Sequence, residues 1–384
     1  MNWRDLKPTR SSTLSLVVGL FFLLVVGVLL LLVFPATKQE NEFAGQSFEQ
    51  LLATLPEHPA ADPDSPGIQT VKHHTEKLLP LLNLTLNGPG PLRYRLTKRL
   101  APDLRTRIVK WLPTETATRL FITKNDLLLI REQSLRALSL IPKRERSEAI
   151  AILTEALARP EPALQRATIR ELGKFGINAN VAVPRLIPFL ASLDPTLRYQ
   201  AIKTLGTIGS PANPAIEIIQ TRMSDSSEMV RAAAVVAYGR IVLTHNTVAN
   251  SLLTALTDTS SQVRSAAAQV IGRTAHQDRR SISPLIGALQ DSESHVRRNA
   301  AIALGRIGPA AERAVDPLSK ALWDERMEVR ISSAEALGEI GPRASRAIPH
   351  LFDALNNDFA GMGVPAHEAI KKIDPASDVG ISAR

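Results

Sequence analysis

The sequence predicts an all-α protein, a solenoid of paired helices behind one amino-terminal transmembrane helix. Three observations carry that expectation: an apolar pattern that returns every 33 residues, a helical stripe inside each copy, and an uncharged run near the amino terminus. Residues 285–317 read LIGALQDSESHVRRNAAIALGRIGPAAERAVDP, and residues 318–350 follow in register as LSKALWDERMEVRISSAEALGEIGPRASRAIPH. Columns at this period stay apolar through seven copies. Leu153, Leu186, Ile219, Leu252, Leu285, Leu318 and Leu351 form one column; Leu172, Leu205, Tyr238, Ile271, Leu304, Leu337 and Ile370 form another. Self-similarity at a fixed period is the mark of stacked units, none of which can bury its apolar face alone.

Each copy reads as two helices. Leu318, Ala321 and Leu322 have the i, i+3, i+4 spacing of a short amphipathic helix, residues 324–328 form a polar turn, and helical spacing resumes through Val329, Ala334, Leu337 and Ile340. Gly341-Pro342 then stops the second helix, as Gly308-Pro309 stops the one before it. A second glycine column, Gly173, Gly206, Gly239, Gly272, Gly305 and Gly338, falls inside the second helix. There glycine costs about 1 kcal/mol relative to alanine, so its return predicts positions where a neighbouring helix approaches closely.

The pattern AL-D-VR-AA-ALG-IGP resembles the HEAT repeat, in the variety shared with phycobilisome-lyase-type proteins, over about residues 153–384. The resemblance implies a right-handed α-solenoid. It also implies a buried ladder, in which an Asp closing the first helix and an Arg opening the second hydrogen-bond between and within units. The matching residues are Asp225, Asp258, Asp291 and Asp324 with Arg231, Arg264, Arg297 and Arg330; Arg198 matches too, with Ser192 at its Asp position. The outer units depart, with Arg159 and Gln165 at one end and Asn357 and Gly363 at the other. Terminal units of solenoids are atypical because one face has no neighbour. The rows are read as structural rather than catalytic: a charge inside a helical stack is costly unless paired, and the arginine fork satisfies several acceptors at once.

Composition narrows the function classes. There is no cysteine, which excludes disulfides, thiolate catalysis and cysteine metal sites, and aromatics are only 4%, which disfavours stacking bases or caging cofactors. No catalytic constellation, metal set or cofactor motif is read from the chain. Adjacent His73 and His74 point about 100° apart on a helix and recruit no further ligand at i, i+4.

Residues 14–34, LSLVVGLFFLLVVGVLLLLVF, carry no charge, and 21 helical residues span about 30 Å, the depth of a bilayer core. A cleaved signal peptide is the competing reading. Signal h-regions run about 7–15 residues and end at small residues, whereas this run is longer and is followed by Phe34-Pro35-Ala36. The expectation is an uncleaved single-pass anchor. Arg4, Lys7 and Arg10 precede it, so residues 1–13 are expected in the cytoplasm and the remainder outside, in the periplasm if the source is a bacterium.

Residues 35–67, rich in Pro and Asp, read as a flexible linker. Residues 68–152 read as a helical basic neck with a degenerate leading repeat, because residues 130–141 match 164 onward at an offset of 34. Residues 92–152 hold 14 Lys/Arg against 6 Asp/Glu, most of the chain's net +9, while the seven units at 153–384 hold 26 against 23. The neck is either a site for an anionic partner or a solvated cap on the stack.

In HEAT arrays the second helices line the inner, concave surface, which is what the resemblance implies here. Two columns off the apolar stripe hold Lys174, Arg240, Arg273, Arg306 and Glu339, and Arg170, Lys203, Gln269 and Glu335. They suggest a basic groove suited to an extended acidic peptide, with ordinary solvated side chains as the other reading. The expected function is a non-catalytic, membrane-tethered scaffold that binds a protein partner, an acidic one, through Arg240, Arg273, Arg306, Lys174 and Lys203. No nucleic acid is expected as partner, and oligomeric state is not read from the sequence. An enzyme similar to the bilin-attaching lyases, and a nucleic-acid binder with HEAT-like helices, stand as the alternatives.

Overall fold

The computed structural model describes residues 42–43, 46–56, 64–87, 124–242, 250–274, 279–356 and 361–376. The apolar run 14–34 lies outside them, as do residues 88–123 of the neck and Asn357. Among the described residues no helix is long and apolar enough to cross a membrane. The chain forms two compact units, divided at Ala167/Thr168.

The first unit is not wholly helical. It opens with a hairpin of two short strands, β1 (Glu42–Phe43) and β2 (Gln46–Ser47), paired antiparallel with Glu42 opposite Ser47. Then come α1 (Phe48–Ala53), α2 (Pro66–His73), α3 (Thr75–Asn87), α4 (Lys124–Ser139), α5 (Arg146–Ala156) and the start of α6 (Pro162–Gly173). At the start of the neck, α2 and α3 are separate helices that meet at His74. His74 leaves helical geometry at φ −107°, ψ 25°, and the Thr75 hydroxyl donates back to the Val71 carbonyl at 2.9 Å. His73 and His74 meet edge to face with ring centroids 4.9 Å apart. Leu78, Leu82 and Leu86 of α3 are buried, and α3 packs on both α4 and α5.

In the second unit short first helices alternate with longer second ones. The first helices are α7 (Val183–Leu186), α9 (Ile216–Arg222), α11 (Asn250–Ala255), α13 (Ile282–Ala288), α15 (Val315–Ala321) and α17 (Ile348–Asn356). The second helices are α8 (Pro195–Ile208), α10 (Glu228–Ile241), α12 (Ser261–Thr274), α14 (Ser294–Ile307), α16 (Met327–Ile340) and α18 (Gly363–Ile373), each packed on the next in order.

The stop after a second helix is a turn into 3-10 geometry. Gly308 sits at φ 68°, ψ −139°, a region that only glycine occupies readily, and Pro309 then opens the 3-10 turn Gly308–Ala314. Its missing N–H falls where a helix start has no acceptor for it.

The mid-helix glycines have a steric cause. A Cβ built on Gly206 would lie 2.9 Å from the Cα of Ala237, one on Gly272 2.8 Å from the Cα of Ala303, and one on Gly305 2.9 Å from the Cα of Ala336. Consecutive second helices meet backbone to backbone, with a glycine on one and an alanine on the next. At Gly239 the facing residue is Val270, whose Cγ1 would lie 2.6 Å away.

Candidate functional site

The aspartates and arginines of the repeated turns form a directional chain of bonds. Each arginine reaches forward 27 residues to the aspartate of the following unit: Arg198 to Asp225, Arg231 to Asp258, Arg264 to Asp291 and Arg297 to Asp324. Every pairing is bidentate, with Nε donating to Oδ2 and Nη2 to Oδ1, at 2.6 to 2.9 Å. The third nitrogen, Nη1, donates within its own unit. Its acceptors are the main-chain carbonyls of Ser192, Asp225, Asp258 and Asp291, and for Arg330 that of Asp324, at 2.8 to 3.0 Å. The side-chain bonds therefore join units while the main-chain bonds close each turn.

The carboxylates also organise the turns that present them. Oδ1 of Asp225, Asp258, Asp291 and Asp324 accepts the backbone N–H two residues on, at 2.8 to 3.0 Å. Burial pushes these carboxyls up, but the hydrogen bonds from arginine and backbone and the arginine charge outweigh it. All four are held below the ordinary aspartate value near 3.8. Ser192 takes two of the aspartate's parts: its carbonyl accepts from Arg198 Nη1 at 2.8 Å, and its Oγ accepts the Asp194 N–H at 3.2 Å, the turn bond that Oδ1 takes in the other units.

The sequence columns missed a further member. Arg131 of α4, which is 4% exposed, clamps both oxygens of Glu161 at 2.7 and 2.8 Å and donates from Nε to the Thr85 carbonyl. At the offset of 34 Arg131 matches Gln165, whose amide donates instead to the Leu157 carbonyl at 3.3 Å. That offset was the available signal.

The second-helix face carries an open groove. A cavity of about 520 Å³ lies over α10. Its floor is Ala232, Ala233 and Val236; Tyr199 and Lys203 of α8 rise on one side, and Gln262 and Gln269 of α12 on the other. Lys203 Nζ stands 5.8 Å from the centre of the Tyr199 ring. A second cavity of about 330 Å³ lies between α12 and α14, bounded by Arg273, Arg298, Arg306 and Ile302. Both are lined by Gln269 and Asn299, so the two are adjacent. The Asn299 amide donates to the Ser265 hydroxyl at 2.9 Å and ties α14 to α12 beneath them.

Of the five basic residues read as partner-binding, Lys203 and Arg240 line the first cavity and Arg273 and Arg306 the second, all exposed. Lys174 lines neither; its Nζ lies 2.6 Å from Glu171. The change of sign beyond Arg306 is partly neutralised, because Lys372 Nζ donates to Glu339 at 2.8 Å, and that bond raises the lysine's pKa. The sequence reading passed over Tyr199, Ala232, Val236 and Arg298. These are the positions at which the repeat does not keep its residue type, and a cavity forms where small residues interrupt a column of larger ones.

Residues 183–258 and 249–326 match the family model of HEAT repeats, and residues 329–357 match that of the PBS lyase HEAT-like repeat. No curated protein matches the chain. Among solved structures, Kap121p, a karyopherin bound to the SUMO protease Ulp1p, is similar at 14% identity and a TM-score of 0.50, over 84% of this chain and 39% of that one. YibA of E. coli is similar at 22% identity and a TM-score of 0.48, over 73% of this chain and 94% of that one. An engineered protein is similar at 20% identity and a TM-score of 0.49, over 85% of this chain and 88% of that one. At these identities the likeness to the karyopherin is one of fold.

Proposed function

Because this chain is a HEAT-repeat protein, we propose that it is a non-catalytic scaffold, tethered to a membrane by residues 14–34, that holds an acidic protein partner along its second helices. The observation that carries the reading is the pair of adjacent cavities over α8, α10, α12 and α14, with Lys203, Arg240, Arg273 and Arg306 against the single carboxylate Glu228 among their described lining residues. A groove open along a stack of helices accepts an extended chain, and cationic edges favour a negative one by steering and complementarity. The perturbed carboxylates, which would be the first candidates for chemistry, are each clamped by an arginine. That occupancy supports a structural role for them.

Affinity capture from native membranes tests the partner. The full-length protein is compared with a variant carrying Arg240→Glu, Arg273→Glu and Arg306→Glu. A protein retained by the first and lost by the second is the expected outcome, and equal recovery of the same proteins by both would remove the groove from the interface. Tethering is tested by protease protection on sealed vesicles. The reading expects the solenoid to be digested only from the side opposite residues 1–13, and release of the intact chain by carbonate washing would overturn the anchor.

A further inference from the structure

The groove's two cavities differ in chemistry, and their separation specifies what a partner must carry. The first is floored by Ala232, Ala233 and Val236; above the floor Tyr199 and Met229 offer carbon surface beside the polar Lys203, Gln262 and Gln269, and Glu228 is the one carboxylate among its described lining residues. Met229 is 53% exposed, an unbranched and adaptable side chain at the mouth of an apolar recess. The second cavity has Arg273 on one wall and Arg298 and Arg306 on the other, and no carboxylate among the described residues lines it. Arg273 and Arg306 sit one repeat apart, at the same level of neighbouring helices, so both bring positive charge to this one cavity.

We infer that the groove binds an extended acidic protein segment with an apolar side chain in the α10 cavity and an Asp or Glu, about four residues away, between Arg273 and Arg306. The first cavity is centred on α10 and the second on the gap between α12 and α14, one and a half helices further along. Packed helices lie about 9 Å apart, which makes the separation about 13 Å. An extended chain rises about 3.3 Å per residue, so four residues cover that distance. Alternation of side chains along an extended chain then points both residues into the groove. A protein segment fits better than a nucleic acid strand: the cavities offer one aromatic ring, Tyr199, and their floor is alanine and valine rather than a stacking platform.

This inference rests on the binding role proposed above, and its test separates the two. Dye-labelled glycine–serine peptides carrying one leucine and one glutamate at a series of spacings, in both orders, are titrated by fluorescence anisotropy against the full-length protein in mild detergent. Binding is expected to be tightest near a spacing of four, about tenfold over shorter or longer spacings, a difference worth about 1.4 kcal/mol. Leucine→serine in the peptide, Arg273→Gln in the protein and Ala233→Phe, which fills the first cavity, should each cost about tenfold. Arg273 is exposed, so Arg273→Gln keeps the test valid if Ala233→Phe disturbs α10. Affinity independent of spacing, or unchanged by loss of the leucine, overturns the inference. If such peptides still bind wild type and not the charge-reversed variant, the basic groove stands without the motif. If wild type and the charge-reversed variant bind them equally, both readings fall. A single-stranded oligonucleotide of matched charge that binds more tightly than any peptide would overturn the choice of a protein partner.

Discussion

A guanidinium with all three nitrogens engaged is worth more to this molecule as a hinge pin than as a charge. Arg297 holds Asp324 with two nitrogens and the Asp291 carbonyl with the third, and its side chain is 10% exposed. Removing either partner strands the other in a poorly solvated place. Arg297→Ala and Asp324→Ala should each destabilise by roughly 2–4 kcal/mol. A double-mutant cycle read by thermal melts should show the pair losing less than the sum of the single changes. Full additivity would mean that the two residues act separately.

The same clamps set a pH dependence. Because the folded carboxyls of Asp225, Asp258, Asp291 and Asp324 titrate below their ordinary value, the unfolded chain takes up protons first as the pH falls. Their stabilisation is complete above the ordinary aspartate value near 3.8 and drains away as the pH drops through the lower folded values. Midpoints of thermal unfolding should be flat at mildly acidic pH and fall steeply below about 4. Changing all four aspartates to asparagine should lower the plateau and flatten that acid slope.

Glycines separate the elements by function. Gly272→Ala would bring a Cβ to 2.8 Å from the Cα of Ala303, a contact that only movement of a helix backbone relieves. A loss of roughly 1–3 kcal/mol is expected. Gly287 in α13 has nothing within 4 Å of its built Cβ, so Gly287→Ala should gain about 0.5–1 kcal/mol through helix propensity alone. Melts of the two variants moving in the same direction would contradict the packing role. At this scale much could be read in advance, because a glycine that recurs at a cost points to a contact. The division of α2 from α3 at His74 could not, since apolar spacing continues across it and only local backbone geometry breaks it. The first helices read as short, but not the 3-10 turns beside them, where Pro188 and Pro214 interrupt α-helical bonding.

For the molecule as a whole, the repeat was legible because apolar columns that keep one period through seven copies leave few architectures open. The Asp and Arg columns were legible too, but not which copies join. A column shows that a residue recurs; it does not show whether the carboxylate that Arg264 clamps is that of Asp258 or Asp291. The binding groove was half legible. Its cations lie in a regular column, but its recess exists where regularity fails, at Ala232, Ala233 and Val236 between Tyr199 and Ser265. If those cations carry the interface, raising salt from about 0.1 to 1 M should weaken binding of the captured partner, because the screening length shortens from about 10 to 3 Å. Retention that does not respond to salt would shift the interface to apolar contacts.

The forward reach of 27 residues makes the seam between units interchangeable. Excising residues 285–317 would carry Asp324 to the place of Asp291, within reach of Arg264, and Ala336 to the place of Ala303, opposite Gly272. Such a shortened chain should still melt cooperatively, whereas an excision one residue shorter should not, since it rotates every later side chain off the seam. The surface would not survive the splice. Ile331, Glu335 and Glu339 would replace Arg298, Ile302 and Arg306, so that Arg273 would face Glu335 and the Lys372-paired Glu339 in place of two further arginines. In this chain length is modular and recognition is not, so one excision could preserve the architecture while cancelling the positive charge that draws its guest.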